Sequence, residues 1–590
     1  CIRDSGVRDI FAISGAGNVN LLDAIARHPV LRYYCPHHEQ AGVMAAIAYS
    51  RLSPHPGMML TTGGPGAANA ITGVLDAWAD SIPCLVISGQ EKAIHTRSPR
   101  GLRMWGVQGF DIIGAVKGIT KYAALVDDPA SIDLHLGRAI HLATTGRPGP
   151  VWLDVPMDVQ SATIDPESLV PFVPESGGPP APDLDTIVAR LRAARRPVLL
   201  LGNGIRLAGA ADLVPRLLDR VPVPVITSWN GADLLATDHP LCFGHAGVYG
   251  QRCANFVIQN CDFLLSVGSR LAIPQVGYDA ADYARRAYRV MVDIDPAELA
   301  KFAGVFEQLV AADAGRFLAA LLDGLPAPTP RPDAWLTQCG EWRTRYPLVD
   351  PSMHEQPPGG PVNSYHFIDR LSAHLGPDDV VVTDMGAALT STHQAIRLKP
   401  GQRLVTSTGL GEMGFGLPGA IGAAVACPGK RIILIVGDGS LMMNLQELQT
   451  LVHHRLPVKL FLYCNDAYLT IKHTQTALFE GRLAGSGADS GVSCPDFVAV
   501  AGAFGIRTTR LANWSGVDTA IHATLAGREP ALCEIAMDPM QPLVPKLSFS
   551  QRADGTLFSP PLEDLAPALP REQLAREMSA SAPPIPSPAP

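Results

Sequence analysis

The sequence predicts an α/β protein of about three doubly wound parallel-sheet domains, and three observations carry that prediction. Short β-rich apolar runs, each ending in Gly, Asp or Asn, alternate with helical stretches along the whole chain. The runs are continuously apolar, the pattern of strands buried on both faces of a parallel sheet. A length of 590 residues, at roughly 100–200 residues per domain, gives about three domains.

In chain order the clearest runs are GMMLTT (57–62), PCLVISG (83–89), PVWLDV (150–155), RPVLLLGNG (196–204), FLLSVGS (263–269), YRVMVDID (288–295), DVVVTDMG (379–386), RIILIVGDG (431–439) and PVKLFLYCND (457–466). Two stretches rich in Pro and Gly, 174–183 and 325–363, read as linkers. They leave blocks at 1–173, 184–325 and 363–545, then a C-terminal arm and tail over 546–590. The last stretch, 579–590, is low-complexity and expected to be disordered. The first and third blocks are similar in size and look like pseudo-duplicates.

Hydrophobic residues make up 47% of the chain and charged residues 17%, enough apolar material for several cores. Lys+Arg 47 against Asp+Glu 55 gives a net charge of −8 without basic runs, which argues against nucleic-acid binding. The 11 cysteines are scattered, with no C-x-x-C pair, so neither a zinc ribbon nor a disulfide framework is expected. A reducing cytoplasm is the simple reading. The chain begins with Cys, without an apolar leader, and is expected to lack a few natural residues. The weakly charged run 410–429 carries six Gly, two Pro and a Glu; it reads as a buried glycine-rich turn and helix rather than a membrane span.

The most informative passage is 431–469. One strand runs into Gly437-Asp438-Gly439-Ser440, and Asn444 with Glu447 suggests a capping box on the next helix. The following strand ends at Asn465, which lies 27 residues after Asp438. Both side chains therefore sit at carboxyl ends of strands, where open parallel sheets bind ligands. Two oxygen donors there suit Mg²⁺, which fills its shell with phosphate oxygens and water. The glycines let backbone N–H groups approach a diphosphate.

This pair of elements resembles the thiamine-diphosphate-binding motif. Other segments extend the resemblance to the decarboxylase and acetolactate-synthase superfamily over roughly 1–545: YYCPHHEQAGVMAAIAYSR (33–51), TTGGPGAANAITGVLDAWADSIPCLVISG (61–89), TTGRPGPVWLDVPMDVQ (144–160) and STGLGEMGFGLPGAIGAA (407–424). The resemblance implies three domains of the thiamine-diphosphate decarboxylase type: pyrimidine-binding, middle and diphosphate-binding. It implies Mg²⁺ held by Asp438, Asn465 and Ala467, and cofactor contacts from Gly386, Gly411, Gly439 and Ser440. Met413 would hold the cofactor bent and Glu39 would hydrogen-bond its aminopyrimidine. His37 and His38 flank that glutamate, and His38 would relay protons. Gln108, in LRMWGVQGFDI (102–112), would bond the reacting oxygen. Subunits of the superfamily share each site, so a homodimer is implied, with a tetramer common.

In the middle block, Gly202-x-Gly204 follows a strand, a weak dinucleotide signal by itself. FGHAGVYGQRCAN (243–255), VGSRLA (267–272) and VDIDP (292–296) resemble flavin-binding stretches. By that resemblance Gly268, Ser269, Arg270 and Asp293 would face a structural FAD; relatives acting on acyl-CoA place ADP or CoA here instead.

Three departures bear on the substrate. Thr474 stands where an acetolactate synthase carries a tryptophan, Ile273 and Pro274 stand near an expected carboxylate-gripping arginine, and Ala387 and Ala388 replace Gln-His. A buried carboxylate without its cation is costly, which favours a neutral acceptor. The segments 102–123 and 554–574 are similar to carboligases that add a pyruvate-derived acetyl unit to ketones, including yersiniose-type branched-sugar enzymes. The expected function is carboligation of pyruvate to a ketone. The alternatives are acetolactate synthase, a 2-hydroxyacyl-CoA or oxalyl-CoA type lyase, and a non-enzymatic cofactor-binding regulator.

Overall fold

A computed structural model describes residues 2–96, 102–174, 184–551, 554 and 557–579. Most of the first linker (175–183) and of the tail (580–590) lies outside the described residues.

The chain builds three parallel sheets. The first contains β1 (Asp9–Ala12), β2 (Arg32–Tyr34), β3 (Gly57–Thr61), β4 (Cys84–Gln90), β5 (Tyr122–Leu125) and β6 (Pro150–Pro156), in the order β2-β1-β3-β4-β6-β5. The second contains β7 (Pro197–Leu201), β8 (Val225–Thr227), β9 (Phe263–Val267), β10 (Tyr288–Asp293) and β11 (Gln308–Ala311), in the order β11-β10-β9-β7-β8. The third contains β12 (Val380–Thr383), β13 (Arg403–Val405), β14 (Ile432–Gly437), β15 (Val458–Cys464), β16 (Arg507–Leu511) and β17 (Ala531–Ala536), in the order β13-β12-β14-β15-β17-β16. The first and third sheets thus share one strand order, as expected of pseudo-duplicates.

The nine runs named from the sequence are all interior strands. The edge strands escaped that reading because most are short and part-exposed. Arg32–Tyr34 and Arg507–Leu511 show the reason: with one side open to solvent they lose the continuous apolar signature.

The chain divides into two compact units. One comprises Cys1–Gly177, Asp378–Leu389 and Leu404–Met540, and holds the first and third sheets. Its central packing joins the helix Glu39–Leu52 to the helix Gly416–Ala426. Both present small residues, and the backbones come so close that a Cβ on Gly422 would lie 2.0 Å from the Ala45 carbonyl oxygen. The run 410–429 is accordingly a turn and an 11-residue buried helix. No helix among the described residues is long and apolar enough to cross a membrane.

The other unit comprises Gly178–Pro377, Thr390–Arg403 and Gln541–Pro590, around the second sheet. Here the expected linker 325–363 is corrected in part. It contains the helix Asp333–Arg345, which buries Trp335, Cys339 and Trp342. Trp342 Nε1 donates to Glu577 Oε2 at 2.6 Å, which ties the C-terminal helix Arg571–Met578 to it. Prolines on either side hid this helix, whose anchors are tertiary contacts.

Candidate functional site

β14 and β15 are neighbours in register, with Gly437 opposite Tyr463, so the chain leaves the sheet at Asp438 and at Asn465 side by side. Asp438 is buried and accepts three backbone hydrogen bonds: from Gly439 at 2.7 Å, Asn465 at 3.0 Å and Ala467 at 3.1 Å. Burial pushes its carboxyl up, against those N–H groups and Lys472, which pull it down. Asp466 and Ala467 both adopt left-handed backbone, φ +59° and +76°. That costs roughly 1–3 kcal/mol per residue for a non-glycine, and it turns the Ala467 N–H back onto the carboxylate, beside that of Asn465.

Asn465 is also buried, and its Oδ1 has no hydrogen-bond partner among the described residues. An orphaned carbonyl oxygen beside a buried carboxylate is the donor set of a hard cation such as Mg²⁺. Among the described residues no three His, Cys, Asp or Glu side chains cluster as a metal site. The metal reading therefore rests on Asp438, Asn465 and the backbone at Ala467. Lys472, itself buried, braces this turn: its Nζ donates to the Asp466 carbonyl and to Asp466 Oδ2 at 3.1 Å.

Gly439 is required by packing, since a Cβ would lie 2.5 Å from Tyr468 Cε1, with Met413 Cε 3.4 Å away. Met413 thus reaches the same strand end as Asp438. Its segment is pinned by Asp384, whose carboxylate follows β12 and accepts from Gly414 N at 3.1 Å, Gly416 N at 2.7 Å and Met385 N at 2.6 Å. Ser440 adds a hydrogen bond to Asp384. Asn444 Nδ2 donates to the Gly414 carbonyl at 2.8 Å. The expected capping box does not form: Asn444 caps nothing with its side chain, and Glu447 instead accepts from Thr450 Oγ1 and from His37 N. Gly386, two residues after Asp384, and Gly411, two residues before Met413, take left-handed backbone, φ +79° and +72°.

Glu39 is the first residue of the helix Glu39–Leu52 and is 8% exposed. Asn69 Nδ2 donates to its Oε2 at 3.0 Å. A Cβ on Gly66 would lie 3.0 Å from Glu39 Oε1, and one on Gly64 would lie 2.7 Å from Gln108 Cβ. The glycine-rich turn before Asn69 therefore brings Glu39 and Gln108 to one place. His38 is the N-cap of the helix, its Nδ1 accepting from Gln40 N at 3.2 Å. That commits Nδ1 and leaves Nε2 as the ring nitrogen open to proton transfer. Asp384, Asn69 and Lys472 were not singled out from the sequence. Asp384 carries a usable signal, an Asp at a strand end as in Asp438. The other two are isolated residues whose partners only the fold supplies.

In the second unit Gly202, Gly204 and Gly268 pack backbone on backbone at the ends of β7 and β9. A Cβ on Gly202 would lie 2.1 Å from the Gly268 carbonyl oxygen, and Gly204 N donates to that oxygen at 2.8 Å. Ser269 is buried; Arg270 accepts from Lys301 Nζ on its carbonyl; Asp293 ends β10 and accepts from Asp295 N at 2.9 Å. These residues line the carboxyl ends of adjacent strands, around the point where strand order reverses.

The three parallel sheets define a three-domain α/β protein, with Asp438 and Asn465 side by side where two strands of the third sheet end. Three family matches agree: "Thiamine pyrophosphate enzyme, N-terminal TPP binding domain" over 1–114, the central domain of the same enzymes over 184–321, and their C-terminal TPP binding domain over 384–535. Among curated relatives, the acetolactate synthase isozyme 2 large subunit of Escherichia coli (strain K12) is 33% identical over 547 residues, covering 92% of this chain and 96% of the relative. The acetolactate synthase large subunit of Parasynechococcus marenigrum is 33% identical over 570 residues, covering 92% and 88%. That of Lactococcus lactis is 30% identical over 558 residues, covering 94% of each. The chain belongs to the acetolactate-synthase-like thiamine-diphosphate enzymes, as a carboligase dependent on that cofactor.

Proposed function

We propose that the protein decarboxylates pyruvate and joins the resulting acetyl unit to a ketone, giving a tertiary alcohol. The bond between C1 and C2 of pyruvate breaks and C1 leaves as carbon dioxide. A bond then forms from C2 to the acceptor carbonyl carbon, whose oxygen takes a proton, with no net redox change. Thiamine diphosphate, when bound, supplies the electron sink. Asp438, Asn465 and the backbone at Ala467 would hold Mg²⁺ against its diphosphate, with Gly439 and Ser440 beside them. Asn69 orients Glu39 through Oε2, which leaves Oε1 for the aminopyrimidine. Met413 would keep the cofactor bent, Gln108 would bond the reacting oxygen, and His38 Nε2 would pass protons.

Thr474 carries the ketone reading. It lies on the helix Leu469–Leu478 with its hydroxyl turned onto the Thr470 carbonyl at 3.0 Å, so no large ring or cation projects from that position. The cation two residues away, Lys472, is committed to the Asp466 turn. A second reading, acetolactate synthase, is favoured by the names of the relatives. Competition decides between them: pyruvate alone, with 2-ketobutyrate, and with a neutral sugar or cyclic ketone, products read by mass spectrometry. Acetolactate as the dominant product at high ketone concentration would replace the first reading by the second.

The middle unit would bind FAD structurally through Gly202, Gly204, Gly268, Ser269, Arg270 and Asp293; an absorbance spectrum of the purified protein tests this. A homodimer, each site shared between subunits, is the minimum assembly in this reading, with a homotetramer and a cytoplasmic location expected.

A further inference from the structure

Two acidic side chains with no part in the chemistry above meet behind Met413. Asp76 lies on the helix Ile71–Ala79, fully buried, and Glu412 immediately precedes Met413. Ser407 Oγ stands between them, 2.7 Å from Asp76 Oδ1 and 2.8 Å from Glu412 Oε2. A hydroxyl has one hydrogen, so it donates to one of these oxygens and must accept from the other. The second bond needs a proton on a carboxyl group. The outer oxygens, Asp76 Oδ2 and Glu412 Oε1, are buried and find no donor among the described residues. The two carboxyls lie within hydrogen-bonding reach of each other.

We propose that Asp76 and Glu412 hold one proton between them, and that this proton is what keeps the segment 407–415, and with it Met413, in its place. The second half rests on the assignment of Met413 to the cofactor. Glu412 is thereby a positioning residue.

Burial pushes both carboxyls up. The Asp80 charge adds to this for Asp76, and the Asp76 charge for Glu412, whose carboxyl is held highest. The charged groups facing the pair are Asp80 and Arg51, which bind each other at 2.5 Å; Asp80 also accepts from Thr408 N at 3.1 Å. Arg51 is thus paired with Asp80, so a second negative charge on Asp76 and Glu412 would stand in low dielectric. A carboxyl whose folded-state pKa is raised contributes stability that is present at low pH and lost as pH rises.

The test compares wild type with Glu412→Gln, which keeps a donor and the shape but carries no titrating proton. Thermal unfolding of the chain without cofactor, and thiamine diphosphate affinity at saturating Mg²⁺, are measured between about pH 6 and about pH 10. In wild type both should fall as pH rises, affinity by about tenfold per unit at the alkaline end. In Glu412→Gln both slopes should flatten. An unfolding slope equal to wild type overturns the shared proton. A flattened unfolding slope with a wild-type affinity profile overturns the positioning claim. Met413→Ala with wild-type affinity at about pH 6 would refute the Met413 assignment, and the positioning claim with it, while the unfolding arm still decides the proton. If Glu412→Gln does not fold, Asp76→Asn supplies the same two readouts.

Discussion

Asp438 Oδ2 accepts the backbone N–H of Asn465 at 3.0 Å, so the two strand-end residues proposed to hold Mg²⁺ are also bonded to one another. The carboxylate fixes the turn after β15, and that turn aims the partnerless Asn465 Oδ1 at the same place.

Replacing Asp438 by Ala should therefore remove a metal ligand and loosen Asn465 together. Mg²⁺-dependent affinity for thiamine diphosphate is expected to drop by about 100-fold or more, read by calorimetric titration. Lys472→Met, which only unbraces the turn, should cost about tenfold. Wild-type affinity in Asp438→Ala would remove this pair from the metal site.

Glu39→Gln should bind cofactor nearly as well as wild type but lose about 100- to 1,000-fold in turnover, the range for a lost proton-transfer group. Proton exchange at the thiazolium C2, followed by NMR, isolates the step. An exchange rate like that of wild type would place Glu39 outside the chemistry.

Gly422 touches the Ala45 carbonyl across the helix pair Glu39–Leu52 and Gly416–Ala426. Gly422→Val must push those helices apart, for a destabilisation of about 1–3 kcal/mol. The denaturation midpoint should fall accordingly; an unchanged midpoint would mean that the backbones do not meet this closely.

Asp154 at the end of β6 is buried, and burial pushes its carboxyl up to about 7, against hydrogen bonds from Ser88 and Gln90 that pull it down. The sign follows from the raised value: its contribution to stability is present at acid pH and lost as pH rises through about 7. The unfolding temperature of wild type should decline from about pH 5 to about pH 8 relative to Asp154→Asn. Parallel curves would show that Asp154 does not titrate in this range.

Nine of the eleven interior strands, the Asp438/Asn465 spacing and the glycine-rich Met413 segment were legible in the sequence, because each is a local signal of continuous apolar residues, a fixed interval or a glycine cluster. The helix Asp333–Arg345 was not, because its signal is the burial of Trp335 and Trp342 against distant chain, between prolines that resemble a linker. The capping box expected of Glu447 was misjudged for a related reason: one of its partners, His37 N, is a backbone group that no side-chain motif announces.

By itself the sequence determined the fold class and the placement of Asp438 and Asn465 at strand ends, because buried strands of a parallel sheet carry a continuous apolar pattern and stop at polar residues and glycines. Only the tertiary structure decided that Asp384 pins the Met413 segment, that Asn69 holds Glu39, and that Asp76 meets Glu412 across more than three hundred residues of chain. Those contacts depend on how elements far apart in sequence pack, and no local pattern of residues records which distant side chain will arrive.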